Sequence, residues 1–171
     1  LGVRLVLVHG ARPQIDAVLE RLDITSQFHN DLRITDGEAL RAVKAAVGMV
    51  KADIESRLSI GIPGSPMHGA RIRVVSGNFV TAKPLGVIHG VDYQHTGEVR
   101  RIEDQAVSNL LDQQNVVLLS CSGYSPSGEM FNLSVEDVAR HAAVALRADK
   151  LIAFGENLSL IHISEPTRPR L

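Results

Sequence analysis

The chain has few of the residues that stabilise small secreted proteins or span membranes. Its 171 residues include one cysteine, no tryptophan and 4% aromatic residues. The single thiol, Cys121, excludes an internal disulfide framework and suits a reducing compartment, so we expect a cytoplasmic protein. No apolar run reaches the roughly 18 residues of a membrane span. Lysine and arginine number 18 against 19 acidic residues, so bulk charge favours neither a nucleic-acid nor a membrane partner.

Spacings typical of metal or nucleophile sites are missing as well. His68, His89 and His95 lie in one loop-rich region, but no His-x-x-x-His or paired-cysteine spacing accompanies them. Cys121 has no recognisable nucleophile motif around it. Residues 123–128 contain two glycines, yet they lack the lysine and spacing of a phosphate-binding loop. We therefore predict no metal site.

What is present is a globular pattern in which valine-rich strands alternate with helical apolar stripes. This alternation predicts an open, mainly parallel sheet with helices on both faces, a three-layer αβα sandwich. Thr35 and Glu38 have the spacing of a capping box, and so do Ser134 and Asp137. The pattern predicts helices at 12–22, 36–58, 103–112 and from 134, and strands at 3–8, 72–76, 79–82, 87–88, 98–102, 116–120, 130–132 and 150–154.

Both ends of the chain suggest a fragment. The sequence opens at Leu1, already inside a structural element and with no signal peptide, and residues 157–171 resemble the translation of a sequencing-adapter read-through. The alternative for this tail is a native strand at 160–163 followed by a disordered Pro/Arg segment. We expect residues 1–156 to be one partial domain, truncated at both ends, and residues 157–171 to be a non-native, disordered tail. A sheet cut in this way exposes its edges, which predicts poor solubility.

The turn after the first strand carries the clearest functional signal. Gly10 permits a tight strand-to-helix turn, and Pro13 suits the first turn of a helix, where a missing N–H costs nothing. Such a turn can hold an anion at the positive end of the helix. Ala11 and Arg12 stand where a phosphate cradle would need glycine. We interpret the turn as a phosphate site converted to another purpose; alternatively it only shapes the strand–helix joint.

Six blocks in order carry a family resemblance. They run from Val6 to Asp16, from Arg33 to Asp36, from Val74 to Phe79, from Gly86 to Tyr93, from Gly97 to Ile102 and from Gly123 to Leu133. The chain resembles the amino-acid kinase superfamily over residues 1–155, and within it the kinase-like domain of bacterial N-acetylglutamate synthases. The resemblance implies an amino-acid kinase fold and a role in regulation and oligomer assembly.

Such synthases transfer acetyl from acetyl-CoA to L-glutamate in the first step of arginine biosynthesis. The resemblance implies that the acetyltransferase centre lies in a separate domain, so we expect this chain to contain no catalytic residue and no cofactor and to be inactive alone. It also implies a homo-oligomer with L-arginine as feedback inhibitor. Two alternatives stay open. One is an acetylglutamate kinase that uses ATP, and the other is a non-catalytic amino-acid-binding scaffold.

Five ligand- or anion-binding positions follow from the resemblance. Gly10 and Arg12 belong to the first turn, and Arg33 matches the kinase arginine that grips the substrate carboxylate, as a guanidinium fork can. Asn132 and Glu136 match a kinase Asn-x-x-x-Asp pair, although Glu136 is one methylene longer.

Each of the last three residues also has a structural interpretation. Arg33 could instead be a surface arginine paired with Asp31 or Asp36. Asn132 and Glu136 could instead stabilise the N-terminus of the last predicted helix, where an acidic side chain interacts favourably with the helix dipole.

Overall fold

A computed structural model describes residues 2–60, 64 and 72–155 of the chain. The predicted tail at 157–171, its alternative strand at 160–163 and His68 lie outside these residues. The described residues form four helices and eleven strands. In chain order these are β1 (Val6–His9), α1 (Arg12–Arg21), β2 (Gln27–His29), β3 (Leu32–Ile34), α2 (Gly37–Ile60), β4 (Val74–Ser76), β5 (Val80–Pro84), β6 (Val87–Ile88), β7 (Val91–Asp92), β8 (Gly97–Ile102), α3 (Asp104–Asp112), β9 (Val116–Ser120), β10 (Ser122–Tyr124), β11 (Met130–Asn132) and α4 (Val135–Ala145).

The centre of the fold is a three-stranded parallel sheet in the order β1-β9-β4. Because successive residues of a strand face opposite sides of a sheet, β9 packs on both faces. Val117 and Leu119 join the core with α3 and α4, whereas Leu118 faces α2. A second core holds α1 against α2. The predicted αβα layering with a parallel sheet is therefore confirmed.

A second sheet, in the order β11-β10-β5-β8, flanks the parallel one and is mostly antiparallel. β5 and β8 pair with a register shift between Thr81 and Ala82. Their approach depends on Gly97, because a Cβ at this position would lie 2.6 Å from the Lys83 carbonyl oxygen and 2.8 Å from Phe131 Cβ. The sheet therefore leaves no room for a side chain at Gly97.

The helix boundaries follow the sequence pattern closely, but the start of α2 differs from its prediction. The Asp36 carboxylate accepts the Ala39 amide hydrogen at 2.8 Å and caps the helix. Thr35 is fully buried, and its hydroxyl contacts the Thr96 hydroxyl at 2.8 Å. The predicted Thr35–Glu38 capping box is wrong, because the Thr35 hydroxyl bonds across the fold rather than along the chain.

A further prediction fails at the end of the described residues. Residues 151–155 are not a buried strand, and the Phe154 side chain is 93% exposed. An extended segment becomes a strand only where a neighbour pairs with its backbone, and no strand of the described part pairs with this one. None of the helices in the described part of the chain is both long and apolar enough to cross a membrane.

Candidate functional site

The carboxyl ends of the three parallel strands meet at one edge of the sheet, beside α2. β1 ends at His9, which is opposite Ser120 at the end of β9, and β4 ends at Ser76. A cleft of about 710 Å³ opens at this edge. Crevices at the carboxyl ends of parallel strands are the usual ligand sites of open α/β sheets.

The lining of this cleft mixes both signs of charge with hydroxyl groups. Lys44 and Lys51 line the cleft from α2, and Glu129 lines it from the residue before β11. The Ser120 and Ser122 hydroxyls contact each other at 2.7 Å. These groups suit a small polar molecule. Sequence reasoning missed the cleft because its residues come from five separate segments; polar residues ending predicted parallel strands were the signal that could have found it.

The strand-to-helix turn at Gly10 is filled by apolar packing. Ala11 is the N-cap of α1, is buried and makes no side-chain cap hydrogen bond, and Pro13 follows in the first turn. Val135, at the start of α4, lies over the turn, and a Cβ on Gly10 would sit 3.5 Å from Val135 Cγ1. The turn has the backbone shape predicted from its sequence, with Ala11 and Val135 packed around it.

His9 is held at the same edge by its backbone neighbour. Its Nδ1 lies 3.2 Å from the Gly10 carbonyl oxygen, which can only accept, so Nδ1 carries the proton. Its Nε2 is buried and has no hydrogen-bond partner among the described residues. Burial lowers the pKa of His9 below its ordinary value of 6.5, although the Gly10 hydrogen bond opposes this shift. The imidazole is therefore neutral at neutral pH.

Arg33 is buried, and its charge is met by Asp16. It lies in β3, and one guanidinium nitrogen donates to the Asp16 carboxylate while the other donates to the Ser26 hydroxyl. The guanidinium carbon lies 4.7 Å from the centre of the Phe28 ring. Arg12 contacts the same ring at 5.3 Å, so the structure brings two of the predicted site residues together.

The alternative interpretation of Arg33 is wrong, because a side chain that is 6% exposed is not a surface arginine. Its carboxylate partner, Asp16, comes from α1, whereas the alternative placed that partner within three residues of Arg33, at Asp31 or Asp36. The hairpin of β2 and β3 that carries Arg33 was not predicted. Its strands have three residues each, and its turn residues Asn30 and Asp31 have φ of 50° and 61°.

Among the described residues, Asn132 and Glu136 make no hydrogen bond with the side chain of Arg12 or Arg33. The Asn132 amide donates to the Thr35 hydroxyl at 3.1 Å, which ties β11 to the end of β3. The Glu136 carboxylate accepts the Ser134 hydroxyl at 2.6 Å. Ser134 in turn accepts the Asp137 amide hydrogen at 3.2 Å, which confirms the predicted cap of α4.

The cysteine and the histidines that the sequence analysis considered take the following places in the structure. The Cys121 thiol is buried, and burial raises its pKa, so it is protonated at neutral pH. Among the described residues, no three His, Cys, Asp or Glu side chains gather in a group that could hold a metal ion. His89 is exposed at a turn with φ of 50°, whereas His95 lines the cleft and contacts the Phe131 ring.

The parallel sheet, its flanking helices and the cleft at the carboxyl ends of the strands are those of a ligand-binding α/β protein. Residues 1–156 match the amino acid kinase family, and the chain belongs to that family. Within it, the chain is 58% identical over 161 residues to the amino-acid acetyltransferase of Pseudomonas syringae pv. syringae. This similarity covers 94% of the chain but only 37% of the relative's length.

Solved structures agree with the resemblance found in the sequence. The chain is similar to N-acetylglutamate synthase from Neisseria gonorrhoeae complexed with coenzyme A and L-arginine, with a TM-score of 0.81 and 34% identity over 92% of this chain and 38% of that one. The same synthase complexed with coenzyme A and N-acetyl-glutamate gives a TM-score of 0.75 and 36% identity over 87% and 33% of the two chains. The predicted resemblance to the kinase-like domain of these synthases is confirmed.

Proposed function

We propose that the chain is the regulatory and assembly domain of an N-acetylglutamate synthase. The complete protein would transfer acetyl from acetyl-CoA to L-glutamate, and a segment beyond this domain would carry that chemistry. The identity to acetyltransferases of whose length the match covers only 37% supports this division. The domain would span residues 1–156, with 157–171 outside it.

The packing of the Gly10 turn is the observation that carries this proposal. Phosphoryl transfer is mainly positioning and charge stabilisation, so it needs free backbone donors around the transferred phosphate. Ala11 and Val135 place apolar groups around the turn. A domain built in this way would support control and assembly rather than kinase chemistry.

Ligands and assembly follow from the same proposal. The complete protein would bind acetyl-CoA and L-glutamate, take L-arginine as feedback inhibitor and work as a homo-oligomer in the cytoplasm. The Neisseria synthase, solved with coenzyme A, L-arginine and N-acetyl-glutamate, supports these ligands. Gly10, Arg12, Arg33, Asn132 and Glu136 remain the proposed ligand- or anion-binding positions of the domain.

Two product assays on the complete protein test the assignment. With acetyl-CoA and L-glutamate we expect release of the coenzyme A thiol, and with MgATP and N-acetylglutamate we expect no ADP. The 171-residue chain alone should give neither product. ADP formation that depends on N-acetylglutamate would overturn the proposal in favour of a kinase, and absence of both products from the complete protein would favour a scaffold.

A further inference from the structure

The hairpin of β2 and β3 has two faces, and each contacts a different part of the molecule. Phe28 is opposite Arg33 in the register of the two strands, so both side chains lie on the same face. The centre of the Phe28 ring lies 4.7 Å from the guanidinium carbon of Arg33 and 5.3 Å from that of Arg12. Because successive residues of a strand point to opposite faces, His29 points the other way, towards Tyr93.

Tyr93 holds this second face through its hydroxyl group. Tyr93 is 1% exposed, and its hydroxyl lies 2.7 Å from His29 Nδ1 and donates to the His29 carbonyl oxygen at 3.3 Å. Because a hydroxyl has one hydrogen, the imidazole Nδ1–H donates to the hydroxyl oxygen. One buried side chain from the residue after β7 therefore holds both the backbone and the side chain of His29.

The outer part of the hairpin, residues 27–32, depends on this contact. Among the described residues, no other hydrogen bond joins the outer part to residues outside the hairpin. Loss of the Tyr93 hydroxyl would leave two polar groups of His29 unpaired, which is costly while they remain away from water. Residues 30–32 are exposed, so the outer part can reach water by moving outward while the rest of the protein stays folded.

The base of the hairpin is held in several other ways. The Arg33 guanidinium donates to Asp16 and Ser26, and the Arg33 carbonyl oxygen accepts the Thr96 hydroxyl. These bonds remain when the Tyr93 hydroxyl is removed. We therefore expect that change to displace the outer part of the hairpin, which contains Phe28, and to leave the base in place.

We propose that Tyr93 is a positioning residue that acts through His29 and keeps the Phe28 ring in contact with Arg12 and Arg33. A ring face within about 6 Å of a guanidinium attracts it and orients its plane. The role of Tyr93 rests on the proposed function, in which both arginines are binding positions of the domain. Its loss is measured on the hairpin itself, so failure of this proposal and failure of the product assays are separate results.

Amide hydrogen exchange of the full 171-residue chain tests the role of the hydroxyl. Tyr93→Phe keeps the buried ring and removes only the oxygen. Amides of residues 27–32 should exchange about fivefold to tenfold faster, as expected for the loss of one hydrogen bond, whereas those of β9 should keep their protection. Tyr124→Phe is the matched control, because it removes the hydroxyl of the chain's other tyrosine, which is 40% exposed.

Three results of this experiment would overturn the proposal. The first is an equal effect of Tyr93→Phe and Tyr124→Phe on the outer part of the hairpin. The second is equal acceleration in the hairpin and in β9, which would indicate a general loss of stability. The third is a wild-type hairpin whose amides exchange as fast as those of an unfolded peptide.

The position of the Phe28 ring gives a second readout, which a general loss of stability would not change. The ring shifts the NMR signals of the Nε–H groups of Arg12 and Arg33, and Phe28→Leu gives the signals without a ring. In Tyr93→Phe both signals should move most of the way to those of Phe28→Leu, whereas Tyr124→Phe should match the wild type. Wild-type signals in Tyr93→Phe would show that the hydroxyl does not position the ring.

A further pair of variants covers the case in which Tyr93→Phe does not fold. His29→Asn keeps a side-chain N–H donor near the place of Nδ1, whereas His29→Ala removes it. The asparagine variant should retain the exchange rates and arginine signals of the wild type, and the alanine variant should lose both. Equal behaviour of the two variants would show that His29 does not link Tyr93 to the hairpin.

Discussion

Val135, the first residue of α4, packs directly over Gly10, with 3.5 Å between Val135 Cγ1 and the position of a Cβ on Gly10. This is an ordinary van der Waals separation, and the backbone at Gly10 is not in the left-handed region. We therefore expect Gly10→Ala to change the free energy of unfolding by no more than about 1 kcal/mol. Urea unfolding monitored by circular dichroism would measure it.

Gly97 is the contrasting position, since a Cβ there would lie 2.6 Å from a backbone oxygen. This oxygen belongs to Lys83 in the paired strand β5, so it cannot move away without disturbing the sheet. We therefore expect Gly97→Ala to lower the free energy of unfolding by about 3 kcal/mol in the same measurement. Equal effects at Gly10 and Gly97 would contradict the packing described at the two positions.

His9 should make the protein less stable at acid pH. Burial lowers the pKa of His9 in the folded state below 6.5, so the unfolded chain binds the proton more tightly. Stability linked to His9 is therefore complete above the ordinary pKa and is lost as pH falls below it. His9→Asn should flatten this part of the profile of unfolding free energy against pH.

The control for that experiment is His89→Asn, at an exposed turn with φ of 50° that asparagine tolerates. It should leave the pH profile unchanged. A profile altered as much by His89→Asn as by His9→Asn would show that burial of the His9 ring is not the cause.

The cap of α4 should contribute measurably to stability. Ser134 accepts the Asp137 amide hydrogen at 3.2 Å, so Ser134→Ala should cost about 1 kcal/mol. Ser56, exposed within α2, provides a comparison in which alanine removes no cap. If both alanine variants unfold at the same denaturant concentration, the Ser134 side chain does not cap α4.

Asp137 links α4 to β8 through its carboxylate. Burial raises the pKa of this group, but the hydrogen bond from the Val99 amide and contacts with Arg140 and His141 outweigh that effect and hold it below its ordinary value of 3.8. We expect Asp137→Asn to lower the free energy of unfolding by about 1–3 kcal/mol at neutral pH.

That loss should shrink as the pH falls, because a carboxyl with a lowered folded pKa stabilises the protein above the ordinary pKa and ceases to do so as it is protonated. Unfolding titrations of the wild type and Asp137→Asn across the acid range would measure the convergence. The exposed Asp149→Asn should match the wild type throughout.

The sequence predicted the elements whose patterns are long. α2 repeats its apolar face over 24 residues, and β9 is a continuous apolar run of the kind that a parallel sheet buries. The cap at Ser134 was also predictable, because its partners lie within four residues. In these cases the information is local, and the tertiary structure agrees with it.

Features built from distant residues were not predictable in the same way. The partner of Arg33 is Asp16, 17 positions earlier, and no spacing rule connects a strand residue to a helix residue across a hairpin. That hairpin has three-residue strands and an Asn-Asp turn, too short for an alternating pattern. The cleft likewise depends on which strands become neighbours, since Ser76 and Ser120 meet only once β4 pairs with β9.

The buried threonine pair gives this domain a mechanical property. The Thr96 hydroxyl donates to the Arg33 carbonyl oxygen and contacts Thr35, whose hydroxyl accepts from Asn132. The hairpin that carries Arg33 is thus joined to the second sheet by three hydrogen bonds. The two that involve Thr96 are buried, and breaking them would leave unpaired polar atoms inside the protein. Because Asn132 belongs to β11 and β11 leads into α4, we expect a displacement of the hairpin to be passed on to the start of α4.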